Sequence, residues 1–129
     1  MSKKKKLKNE KIVVIAGTYD PIDKDDLKLL KKAKKNYEWL IVGLHSDNFL
    51  IEYHGGYTLD YETRADIIRE LRCVDEVMKF KDSDGSACNL LQTIKVVYPG
   101  AEIFYITDGV ANRNLPEAAI EGITFIKSA

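Results

Sequence analysis

The sequence has no apolar run approaching the roughly 18 residues that a membrane-spanning helix requires, which excludes a helical span. It also lacks a secretory signal: the basic start MSKKKKLKNEK leads into a short apolar stretch with no small-residue cleavage site. Cysteine is scarce. Cys73 and Cys88 are too few for a disulfide framework and fit no metal-ligand spacing. They read as free thiols of a reducing compartment, hence of the cytoplasm, or of a virion or infected-cell cytoplasm for a viral chain. Net charge is missing too, with 20 basic residues against 20 acidic ones. That balance, with 45% hydrophobic residues, excludes bulk disorder. What is present is enough for one domain with a real core in 129 residues. The expected division is a basic, flexible tail over 1–10 and a single domain over 11–129.

The neutral total hides an asymmetry. Residues 1–35 hold 12 lysines and 5 acids, whereas residues 36–129 hold 8 basic and 15 acidic side chains. The lysines read as a solvated tail and one exposed helix face, or as a contact surface for nucleic acid or protein. No aromatic residue interleaves them as a stacking platform would need.

Hydrophobic patterning alternates strand and helix. IVVIA at 12–16 and EWLIVGL at 38–44 are continuous apolar runs of the kind buried on both faces of a parallel sheet. Residues 23–36 predict a helix, with Leu27, Leu30 and Ala33 on one side. Residues 58–72 predict a second, capped by Thr58 or Asp60, and 86–97 a third. Shorter strands are expected at 74–80, 102–107 and 122–127, with a short helix near Pro116–Ile120. The fold class is therefore α/β: a Rossmann-like three-layer α/β/α arrangement around a five-stranded parallel sheet. Ligands of such sheets bind beyond the carboxyl ends of the strands, which directs attention to the loops at 17–26, 44–58, 81–86 and 107–116.

The first of these loops reads Gly17-Thr18-Tyr19-Asp20-Pro21-Ile22. A glycine permits close backbone approach, and the free N–H groups of a helix start attract phosphate. GTYDPI, WLIVGLHSDNFL, YETRADIIRELRCVDEVM, KDSDGSACNLL and PGAEIFYITDG together resemble the cytidylyltransferase-like nucleotidyltransferase family, in its small sugar-phosphate and glycerol-phosphate branch. The resemblance spans about residues 11–126. It implies the nucleotidyltransferase fold and an in-line transfer: a nucleoside triphosphate meets a phosphorylated alcohol and pyrophosphate leaves. It also implies nucleotide contacts from Gly17, Thr18, Tyr19, Asp20, Ser46, Asp47, Arg64, Thr107, Asp108, Gly109 and Arg113, and a homodimer.

The match breaks where the family carries H-x-G-H. Here the text is Asp23-Lys24-Asp25-Asp26. A carboxylate accepts hydrogen bonds and donates none, so it does not replace an imidazole facing phosphate. Like charges ~4 Å apart cost about 4 kcal/mol at an effective dielectric near 20, and each ~1.4 kcal/mol of barrier is tenfold in rate. The acids admit two readings. They cap a helix, or Asp23, Asp25 and Asp26 hold a Mg²⁺ that bridges to phosphate. Val110-Ala111 stand near the family's arginine position, with Arg113 close by, and the chain stops at Ala129, before the Ser/Thr-rich segment expected from the resemblance.

The leading expectation is a degenerate member of the family: a nucleotide-binding or assembly module with lost or weak transferase activity. One alternative is an active enzyme transferring a nucleotidyl group from CTP or ATP, with Asp23 and Asp26 catalytic and Mg²⁺ bound. Another is a structural or interaction protein, viral or otherwise, docking through its lysines. His45 and His54 are expected to be ordinary surface or packing residues, and Tyr53, Tyr57 and Tyr61 are candidates for a base pocket.

Overall fold

The computed structural model describes residues 10–107 and 116–127. The apolar run after the tail forms β1 (Lys11–Gly17), with residues 12–15 buried. Successive side chains of a strand point to opposite faces, so this run supplies two cores at once. Ile12 and Val14 pack with Trp39, Ile41, Leu90, Leu91 and Ile94 on one face. Val13 and Ile15 pack with Leu30, Ala33, Leu40, Val42, Ala65 and Ile68 on the other. That is the physical content of a three-layer α/β/α architecture, and the expected fold class is what the chain adopts.

The remaining elements follow in order: α1 (Lys24–Lys35), β2 (Trp39–Leu44), α2 (Asp47–His54), α3 (Tyr61–Arg69), β3 (Glu76–Lys79), α4 (Cys88–Val97), β4 (Glu102–Thr107), a 3₁₀ turn (Pro116–Ala119) and β5 (Ile123–Lys127). The five strands are parallel and lie in the order β3-β2-β1-β4-β5. The chain moves outward from β1 to β2 and β3, then crosses back to place β4 on the other side of β1. The switch point thus lies between β1 and β4, where Ile12 to Ile15 run beside Ile103 to Ile106. Crevices for ligands open at the carboxyl ends of strands at such a point.

The expected elements are all found, most of them trimmed at the ends. The helix expected at 58–72 is confined to Tyr61–Arg69, because Asp60 rather than Thr58 caps it by accepting from Thr63 N at 2.9 Å. One element is new: α2 occupies part of the expected loop 44–58. The helix near Pro116 is a single 3₁₀ turn, and its Glu117 carboxylate accepts from Ala87 N at 2.6 Å, at the start of α4. The sheet packs tightly on α4 at Gly43, where an added Cβ would run into the Leu90 side chain. The tail over residues 1–9 lies outside the described residues. Among the described residues no helix is long and apolar enough to cross a membrane, and Cys73 and Cys88 form no disulfide.

Candidate functional site

A cavity of about 400 Å³ opens at the carboxyl ends of β1 and β4, within the range of about 300–1,000 Å³ usual for small-molecule sites. Its walls come from Gly17, Thr18 and Tyr19 after β1, Asp26 and Leu29 of α1, Ile106 and Thr107 of β4, and His45, Phe49 and His54 from the β2 side. Three of the expected nucleotide contacts on the first loop, and Thr107, therefore line one space. Asp108, Gly109 and Arg113 lie outside the described residues.

The first loop is built around Tyr19. This residue adopts φ 47°, a left-handed conformation that L side chains disfavour by roughly 1–3 kcal/mol. The turn folds the ring back over Gly17, so that a Cβ at Gly17 would lie 2.7 Å from Tyr19 Cε2. A glycine at 17 is thus required by the protein's own tyrosine ring. Burial pushes the Tyr19 hydroxyl well above its ordinary range, with Asp26 adding to the shift. Asp20 turns away from the cavity. Its carboxylate accepts from Thr58 N at 2.7 Å and Leu59 N at 2.5 Å, tying the first loop to the segment before α3.

The aspartates at the start of α1 form a reciprocal cap. Asp23 Oδ1 accepts from Asp26 N at 2.8 Å, and Asp26 Oδ2 accepts from Asp23 N at 3.0 Å. Negative side chains also suit the positive end of the helix. Asp26 is the member that lines the cavity. Burial raises its pKa, and the charges of Asp23 and Asp25 push the same way, against the backbone N–H of Asp23. Asp23 and Asp25 are exposed. Among the described residues no three His, Cys, Asp or Glu side chains gather as a metal ion would require. One oxygen each of Asp23 and Asp26 accepts a backbone N–H.

Arg64 organises the opposite wall from beneath. It is 0% exposed. Its Nε donates to Leu59 O at 2.8 Å, Nη1 to Thr18 O at 3.1 Å and to His45 O at 2.8 Å, and Nη2 to Asp47 Oδ1 at 2.7 Å. Arg64 and Asp47 pair with each other, and Arg64 fastens three loops around the cavity. Ser46 is likewise occupied. Its hydroxyl caps α2 by accepting from Phe49 N at 3.1 Å and donates to Asp82 Oδ1 at 2.8 Å.

His45 is buried and His54 exposed, and both also line the cavity. Nδ1 of His45 lies 2.9 Å from Asp82 Oδ2, and its ring stacks on Phe49 with centroids 3.7 Å apart. Phe49 and Tyr19 are the aromatic side chains of the wall, in place of the three tyrosines expected. Tyr53 and Tyr57 are exposed, and Tyr61 is buried in the core beneath α1 and α3. Sequence reasoning missed Asp82 altogether. The one signal for it is position: His45 and Asp82 both follow carboxyl ends of adjacent parallel strands, β2 and β3.

Comparison with known proteins agrees with this geometry. The model of the family described as cytidylyltransferase-like matches residues 14–120. The bifunctional protein HldE of Geobacter metallireducens is 31% identical over 128 residues, covering 94% of this chain and 25% of that protein. Glycerol-3-phosphate cytidylyltransferase of Bacillus subtilis is 33% identical over 72 residues, 56% of each. The chain thus spans about a quarter of the first relative's length and about half of the second's. In solved structures, the lipopolysaccharide core biosynthesis protein of Thermoplasma volcanium shares the fold, with a TM-score of 0.71 at 18% identity over 94% of this chain and 98% of that one.

Proposed function

The chain belongs to the cytidylyltransferase-like family, and from that premise we propose that it is a nucleotide-binding module whose nucleotidyl transfer is lost or weak. The observation that carries this reading is Asp26, a carboxylate that lines the cavity and is held there by its reciprocal hydrogen bonds with Asp23. A transferred phosphoryl group needs donors and positive charge where its own charge develops. A fixed carboxylate supplies neither. Burial raises its pKa, and the neighbouring charges of Asp23 and Asp25 add to the shift.

Titration calorimetry of the full chain with CTP, ATP and GTP, each with and without Mg²⁺, tests the binding half of this reading. At least one nucleotide is expected to give saturable heat. Silence from all three would contradict nucleotide binding and leave an assembly role through protein contacts.

A further inference from the structure

His45 is placed with care. Its backbone N–H donates to Gly17 O at 3.0 Å, which carries the imidazole to the cavity beside the first loop. The ring is sandwiched by aromatic contacts, stacked on Phe49 and tilted against Phe80 at 5.0 Å. Its partner Asp82 is 5% exposed and receives three hydrogen bonds: from His45, from Ser46 N at 2.7 Å and from Ser46 Oγ at 2.8 Å. Burial works to raise the Asp82 pKa, yet the bonds from Ser46 and His45 outweigh it and leave the carboxyl below its ordinary value. An ionised carboxylate only accepts, so the proton in the His45–Asp82 bond sits on Nδ1. Burial also lowers the imidazole's pKa, with His54 and Arg64 acting the same way against Asp82, which favours the neutral ring at neutral pH. A neutral ring with its proton on Nδ1 presents a bare lone pair at Nε2.

We propose that His45 Nε2 accepts a hydrogen bond from a sugar hydroxyl of the bound ligand, with Asp82 as the positioning residue that fixes the tautomer. This deepens the nucleotide-binding reading above and rests on it. The rest of the wall has matching chemistry. Asp26 adds another acceptor, and Thr18 and Thr107 add hydroxyl groups. The described lining residues include no lysine or arginine. The described wall therefore suits a hydroxyl-bearing group. The hydroxyls are those of a ribose in a nucleotide or of a sugar or polyol phosphate.

Calorimetry of the full chain with CMP, AMP, their 2′,3′-dideoxy forms, ribose 5-phosphate and glycerol 3-phosphate separates these sources. Binding of CMP or AMP assigns the ribose, and binding of the sugar or polyol phosphates alone assigns the latter. Loss of the hydroxyls is expected to weaken binding to the wild type by about tenfold, the loss of one good hydrogen bond, and to leave His45→Leu unaffected. The same hydroxyl penalty in wild type and variant would overturn the proposal while leaving nucleotide binding intact. No binding of any probe to the wild type would overturn both. A measurement on the unsubstituted protein guards against a variant that fails to fold. Nitrogen-15 NMR of the imidazoles is expected to show His45 as the Nδ1–H form, with Nε2 moved by the hydroxyl-bearing probe and the tautomer redistributed by Asp82→Asn. An Nε2–H ring, or one unmoved by a bound probe, would contradict the assignment.

Discussion

Arg64 carries a full charge in a fully buried position, and every nitrogen of its guanidinium has a protein partner. Removing it leaves three carbonyls without their donor and strands Asp47. Arg64→Met is expected to cost about 3 kcal/mol or more, read from urea unfolding midpoints; a loss below about 1 kcal/mol would contradict its structural role. His45 predicts a pH dependence. Its folded pKa is lowered chiefly by burial, so the unfolded chain takes up the proton first as pH falls. Stability should therefore decline as pH drops through about 6.5, and His45→Gln should flatten that decline. Asp82, with its lowered folded pKa, keeps its contribution through this window and loses it only below the ordinary carboxylate range. Denaturation midpoints at about pH 7.5 and about pH 5.5 for both proteins check the sign. The aspartates of the first helix were legible as caps from their type and place alone. The His45–Asp82 pair was not, because its members are 37 residues apart and meet only once β2 and β3 are side by side.

Among the elements, α1 announces itself in the sequence through its cap, its regular leucines and its lysine-rich outer face. Asp23→Ala is expected to lower stability by about 1 kcal/mol, the usual loss of an N-cap, in thermal or urea unfolding. A loss near zero would mean that Asp26 alone secures the helix start. The helix α2 was hidden for a different reason. Its apolar residues Phe49, Leu50, Ile51 and Tyr53 follow one another without a helical period, since Leu50 is buried, Phe49 faces the cavity, and Ile51 and Tyr53 are exposed. Its signals are the Ser46 cap and Gly55, which ends it at φ 80°. Between elements, Gly43 sets how closely β2 approaches α4. Gly43→Ala should destabilise by about 1–3 kcal/mol through overpacking against Leu90, measured in the same unfolding experiment.

For the whole molecule, the parallel α/β class follows from the alternation of apolar runs and amphipathic helices, and the structure adds the strand order. The switch point between β1 and β4 follows in turn, and with it the position of the cavity. What the sequence could not convey is the division of labour inside it. Arg64, Asp47 and Asp20 make hydrogen bonds within the protein that brace the loops, and His45 and His54 line the space as well. Such contacts depend on side-chain geometry that no spacing encodes. The most direct test is pyrophosphate release by the full chain, with Mg²⁺ and glycerol 3-phosphate or sugar phosphates, at a concentration of CTP or ATP that calorimetry shows to be saturating. The account predicts bound nucleotide with release absent or barely above the protein-free rate. Sustained release that Asp26→Ala abolishes would contradict it.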